Sequence, residues 1–131
     1  MIVKIDHIGI AVNSIEEAVK LYTDVFGLKV KAIETSEEQK ARTAIIPVGE
    51  TMIELLESTD SEGPIGKYIA KRGEGLHHLA MGVTNLQDAL EMLEKKGVPL
   101  IDTKPRGGVE GTKIAFLHPK GTKILLELVE H

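Results

Sequence analysis

The chain has no cysteine and no tryptophan among its 131 residues, and its only benzene-type rings belong to two tyrosines and two phenylalanines. Without thiols there is no disulfide framework, no thiolate zinc site and no cysteine nucleophile. So few aromatics leave little from which to build a stacking platform for bases. Basic charge is not in excess either: 16 Lys and Arg stand against 20 Asp and Glu, a formal net charge of −4. That balance argues against nucleic acid as a partner, although a local basic cluster could still hold a phosphorylated small molecule. No run approaches the ~18 apolar residues of a membrane span. The opening MIVKIDHIGIAV is interrupted by Lys4, Asp6 and His7 and lacks the basic flank and long apolar core of a signal peptide. The expectation is a cytoplasmic protein with no membrane partner, folded as a single domain over 1–131, with 42% hydrophobic residues for its core.

What the sequence does contain is a duplication. DHIGIAVNSIEEAV in the first half is answered by HHLAMGVTNLQDAL in the second, and MIELLE by LLELVE. His78 follows His7 by 71 positions, an offset kept by Val12/Val83, Ile15/Leu86 and Ala18/Ala89, while Glu127 follows Glu54 by 73. Each half therefore carries one histidine in its opening strand and one glutamate in its closing strand. If the halves pair about a local twofold axis, the four side chains converge, and two imidazoles with two carboxylates suit a divalent metal.

Each half reads as β-α-β-β-β. In the first strand Ile8, Ile10 and Val12 alternate with His7, Gly9 and Ala11, so the histidine lies on the face without bulky neighbours. Leu79, Met81 and Val83 alternate in the same way with His78, Ala80 and Gly82. Ser14 with Glu17 fits a capping box, Ile15, Ala18, Val19, Tyr22 and Phe26 form an apolar stripe, and Gly27 stops the helix. Asn85, Asp88, the stripe Leu86, Ala89, Leu90 and Leu93, and Gly97 repeat the arrangement. Strand-like runs follow at 28–33, 43–48 and 51–56, then at 99–102, 113–117 and 122–129, with turn signals at Gly49 and at Pro119 to Gly121. A connector over 58–74 contains a short helix from Pro64 to Arg72 ended by Gly73.

The fold class expected is α+β: two tandem βαβββ modules, about 1–57 and 75–131, forming a curved, mostly antiparallel sheet around a metal-containing cleft. Alternation places Glu54 opposite Ile53 and Leu55, and Glu127 opposite Leu126 and Leu128. Glu57 and Glu130, three residues on, take the other face and read as solvated strand-end charges. His77 faces away from His78 and has a structural or supporting role. His118, before Pro119, has a backbone-satisfying role at least as readily as a catalytic one.

These segments carry a family resemblance. DHIGIAV at 6–12, EEQ at 37–39, MIELLE at 52–57, GPIGKYIAKRGEGLHHLAM at 63–81 and IAFLHPKGTKILLELVE at 114–130 together span most of the chain. In order and spacing they resemble the vicinal oxygen chelate superfamily, and within it the methylmalonyl-CoA epimerase family. The resemblance implies one divalent metal per subunit, with Co, Mn, Ni, Zn and Fe(II) all open, held by His7, Glu54, His78 and Glu127. It also implies a homodimer and an acyl-CoA substrate, with the R and S forms of methylmalonyl-CoA interconverted at carbon 2.

Such a reaction removes a proton beside a thioester, and a cation stabilises the enolate that forms. Epimerisation needs a proton taken from one face and another delivered to the opposite face. Glu127 is the first choice for one of these groups. Some epimerases carry a glutamate where this chain has Thr43, and glutamine where it has Glu54; threonine cannot serve as the base. Glu54 is therefore assigned as the second catalytic group, as paired ligand glutamates serve in the similar glyoxalase I enzymes. Lys104, Arg106, Lys113, Lys120 and Lys123 surround the loop PRGGVEG, which reads equally as a phosphate-binding region for CoA and as a solvated hairpin. The competing functions are a glyoxalase I-type lyase acting on a glutathione hemithioacetal, an Fe(II) ring-cleaving dioxygenase, and a non-catalytic ligand-sequestering protein of the same superfamily. The long connector match and HHLAM favour the epimerase over the first, and the extra carboxylate of Glu54 speaks against the second.

Overall fold

In the computed structural model, which describes residues 1–131, the element order is β1 (Ile2–Ala11), α1 (Ile15–Lys20), β2 (Ala32–Ser36), β3 (Ala41–Val48), β4 (Thr51–Ser58), α2 (Pro64–Arg72), β5 (Gly75–Val83), α3 (Leu86–Lys95), β6 (Arg106–Gly107), β7 (Lys113–Leu117), α4 (Pro119–Thr122) and β8 (Leu126–Glu130). Strands and helices alternate as β-α-β-β-β around the connecting α2, a mixed α+β fold. No helix is long and apolar enough to cross a membrane. The chain divides into two units, Ile8–His77 and Met1–His7 with His78–His131, so the N-terminal end of β1 groups with the second module.

In the first unit β2, β3 and β4 form an antiparallel ladder, with Ile45 opposite Glu54 and Thr43 opposite Leu56. Val12, Ile15, Ala44, Ile46 and Leu55 build its core, and Tyr22, Leu28, Val30 and Ile53 pack against it. Alternation along β4 thus gives Ile53 and Leu55 to the helix and puts Glu54 on the other face. In the second unit β6, β7 and β8 are antiparallel, and β8 runs parallel to β5. Its core joins Val83, Leu86, Leu90, Ala115, Leu117, Leu126 and Leu128. A separate cluster on the opposite face of the strands contains Ala80, Ile114, Val129 and the partly buried Phe116.

Both helices start as the caps predict: Ser14 accepts from the Glu17 N–H at 3.2 Å and Asn85 from the Asp88 N–H at 3.0 Å. Glu17 does not complete a reciprocal box, because its carboxylate pairs with Lys20 at 3.1 Å. Gly27 and Gly97 follow their helices with φ of +75° and +77°, backbone that glycine adopts without a Cβ clash.

Five expectations need correction. After Lys20 the helix widens into a π-helical turn, Leu21–Val25, in which Phe26 N–H bonds Leu21 C=O at 3.0 Å. The extra residue in that turn rotates Phe26 out of the apolar stripe, and it is 58% exposed. The strand expected at 28–33 begins only at Ala32, since Leu28 and Val30 are taken up by packing on the helix side. That expected at 99–102 shrinks to one bridge, Leu100 to Leu117, where Ile101 and Asp102 N–H groups both reach Phe116 C=O at 3.0 and 3.1 Å. The turn at Pro119 to Gly121 is the short helix α4, whose Lys120 N–H is capped by His118 Nδ1 at 2.9 Å; because α4 takes in Thr122, the strand expected at 122–129 begins only at Leu126.

Candidate metal centre

Strand register brings the chemistry of the second unit to one face. Glu127 on β8 is opposite Ala80 on β5 and Phe116 on β7, and His78 lies two residues before Ala80 on the same side of β5. His7 comes from β1. All three are buried, and their ligating atoms lie within 4.8 Å of one another. His7 Nε2 is 3.1 Å from His78 Nε2. The two oxygens of Glu127 stand 3.3 Å from His7 Nε2 and 3.4 Å from His78 Nε2.

This arrangement fits a metal ion by its donors. Two imidazole nitrogens aimed at each other need a shared proton or a common cation between them, and the carboxylate supplies anionic oxygens at the same point. Nitrogen and carboxylate ligands of this kind suit Zn, Co, Ni, Mn and Fe(II).

Outside the trio lies a chain of contacts for which the sequence reading had no role. His7 Nδ1–H donates to Asp6 Oδ2 at 2.7 Å, and His131 Nε2–H donates to Asp6 Oδ1 at 2.6 Å. Asp6 is 1% exposed. Burial alone would raise its pKa, but the hydrogen bonds from His7 and His131 and their charge outweigh burial and hold it below the usual carboxylate range. A carboxylate on Nδ1 fixes the tautomer that leaves Nε2 to bind a cation. The clue in the sequence is the Asp6–His7 pair itself, which strand alternation assigns to opposite faces and so hides. His131 has no signal of its own.

His78 has a different neighbour, the Phe116 ring, edge-on at 5.8 Å. His77 meets Tyr68 edge-on at 5.0 Å, and burial pushes its pKa down to about 4. Tyr68 in turn donates its hydroxyl to Leu76 C=O. Glu54 is 4% exposed on β4, on the same side of its ladder as the buried Thr43. Glu57 and Glu130 are not solvated strand-end charges: they accept from the Ile15 and Leu86 N–H groups at 2.8 and 2.7 Å. Each module thus uses a carboxylate from its last strand to satisfy the first free donor of its own helix.

A family model for the glyoxalase/bleomycin resistance protein/dioxygenase superfamily matches residues 6–116. The chain belongs to that superfamily. Among its relatives, an uncharacterised protein of Bacillus subtilis, YqjC, is 42% identical over 97% of this chain and 91% of its own length. The mitochondrial methylmalonyl-CoA epimerase of Dictyostelium discoideum is 33% identical over 97% of this chain and 78% of its own. A solved methylmalonyl-CoA epimerase in complex with methylmalonyl-CoA and NH4+ is 36% identical, covers 99% of this chain and 95% of that one, and superposes with a TM-score of 0.95. Near-complete coverage at that score extends the superfamily fold to both modules.

Proposed function

We propose that the protein is a metal-dependent epimerase that interconverts (R)- and (S)-methylmalonyl-CoA. The observation that carries this reading is the buried convergence of His7, His78 and Glu127 at 3.1 to 3.4 Å, in a superfamily member similar along nearly its whole length to methylmalonyl-CoA epimerases. His7, His78, Glu127 and Glu54 are assigned as the metal's ligands. Held there, a divalent cation would supply Lewis acidity to a carbonyl oxygen beside the carbon that loses its proton.

The remaining work falls to the chain's own side chains. Glu127 takes the C2 proton on one face, its carboxylate held in place by β8 between β5 and β7. Glu54 serves the opposite face, since Thr43, buried nearby on β3, has no basic group to offer. Asp6 keeps His7 oriented. Burial of the trio excludes bulk water, so a proton returned to carbon comes from a protein group rather than at random from solvent. The working unit is read as a homodimer, a state supported by the exposed apolar start of β1 at Ile2, Val3 and Ile5. A cytoplasmic location belongs to the same reading.

The test is incubation of the metal-loaded protein with one methylmalonyl-CoA epimer in heavy water. Deuterium should enter at carbon 2 while the other epimer accumulates. Absence of both, with metal content confirmed, would overturn the proposal, and turnover of methylglyoxal with glutathione instead would replace it with the lyase. Glu54→Gln, assayed from each epimer separately, should slow exchange from one of them. Unchanged exchange from both would remove Glu54 as the second base.

A further inference from the structure

The face of β5, β8 and β7 that carries His78 and Glu127 continues to one cation. Arg106 on β6 is opposite Ile114 on β7, Phe116 follows Ile114 on the same side, and Phe116 is opposite Glu127. The side chains agree with the register. The Arg106 guanidinium carbon stands 5.2 Å from the centre of the Phe116 ring, and that ring meets His78 at 5.8 Å. A single aromatic ring therefore separates a guanidinium from the trio.

Arg106 is only partly satisfied by the protein. Its Nε lies 3.2 Å from Asp102 Oδ2, yet Nε is a buried donor without a hydrogen bond. The two facts are compatible, because proximity of charge does not require an aligned N–H. Asp102 Oδ2 is already engaged, accepting from Phe116 N–H at 2.8 Å. The side chain as a whole is 37% exposed, so it is not sealed from a ligand. Nor is its place loose. A Cβ at Gly108 would lie 2.5 Å from Thr112 Oγ1 and 2.6 Å from Ile114 Cγ2, so the backbone just after Arg106 is pressed directly on the segment leading into β7.

We propose that Arg106 is a specificity-determining residue: its guanidinium receives the free carboxylate of a malonyl-type acyl-CoA whose acyl group sits against His7, His78 and Glu127. This rests on the acyl-CoA reading above. A planar fork of N–H donors matches a carboxylate in two-point contact, and stacking on Phe116 orients that fork at little entropic cost. The substrate has a second anionic region, the CoA phosphates, but a whole pantetheine arm separates them from the thioester. The carboxylate, by contrast, is bonded to the reacting carbon. One ring's distance from His78 selects the carboxylate.

Binding to the metal-loaded full chain, followed by calorimetry, tests this with three probes: methylmalonyl-CoA, propionyl-CoA, which lacks only the carboxylate, and CoA. Arg106→Met should weaken methylmalonyl-CoA by about 10- to 100-fold, the range for one hydrogen-bonded charge, and leave propionyl-CoA and CoA within about 2-fold by the same reasoning. Arg106→Lys should recover part of the loss, as a point charge replaces a fork. Equal weakening of all three probes would overturn the assignment and give Arg106 to the phosphates. No weakening of any would overturn it in favour of a solvated cation. A wild type that binds the esters but shows no exchange at carbon 2 would remove the proposed reaction and leave the carboxylate assignment standing. One that binds neither ester would remove both.

Discussion

The two modules agree where atoms must be aimed and differ where the chain only has to be connected. In the first, β3 and β4 are joined by Gly49 and Glu50 alone, with Gly49 at a φ of +62° between the paired Val48 and Thr51. In the second, β7 and β8 are separated by the helix α4. The first module's helix gives six α-helical residues before its π-helical turn, while α3 runs regularly for ten. Against this, the caps at Ser14 and Asn85 and the carboxylate contacts of Glu57 and Glu130 are matched almost bond for bond. Duplication has kept strand register and helix entry, the features that hold a histidine and a glutamate in each half, and has let the loops drift.

The comparison breaks most visibly at the paired glutamates. Glu127→Gln should slow deuterium exchange at carbon 2 by about 10²- to 10⁴-fold, the usual contribution of a general acid or base, and lower the metal retained after dialysis. If Glu54→Gln reduces retained metal equally but slows exchange from only the other epimer, the modules are functionally as well as structurally paired. Exchange slowed from neither epimer by Glu127→Gln would end its role as a base. A contrast in stability should come next. Leu90→Ala, at a fully buried position of α3, should cost about 2–5 kcal/mol in urea unfolding. Val19→Ala, in the half-buried stripe of α1, should cost about 1 kcal/mol. Equal losses would show that the π-helical turn does not loosen the packing of the first helix.

Much of this was legible from residue order because the informative signals are periodic. Strand alternation separated His78 from His77 and Glu54 from Ile53 and Leu55, and cap residues located both helix starts. What escaped were relations that no period encodes. Glu57 and Glu130 read as surface charges because nothing in a strand pattern says that a helix N-terminus lies within reach. Phe26 fitted the stripe until one extra residue in a turn shifted its phase. Asp6 and His131 are 125 positions apart, and only the fold brings them together.

Asp6 offers the next sharper test, because the second module has His77, not a carboxylate, before the histidine of its opening strand. Asp6→Asn should lower metal affinity by about 10- to 100-fold, as loss of a carboxylate behind a ligand imidazole does. His77→Gln should leave it unchanged, and the cobalt-loaded protein should show an altered visible spectrum only for the first. A shift of the same size for both would mean that the two histidines are supported by packing rather than by the Asp6 hydrogen bond.

The smallest effects concern the matched caps. Ser14→Ala and Asn85→Ala each remove one acceptor from a helix start and should each cost about 1 kcal/mol. In both modules a second acceptor survives on a different N–H, Glu57 at Ile15 and Glu130 at Leu86, so neither helix should lose its start altogether. Glu57 also stands 3.7 Å from Arg42, which is held at 2.8 Å by Glu16, whereas Lys113, the residue opposite Glu130 on β7, makes no such pair with a helix carboxylate. Adding Glu57→Gln to Ser14→Ala should therefore cost less than adding Glu130→Gln to Asn85→Ala, because the Arg42–Glu16 pair still ties the first helix to β3. Thermal unfolding of the two double variants decides it: a larger loss in the first module would mean that Glu57, rather than Arg42, secures the entry to that helix.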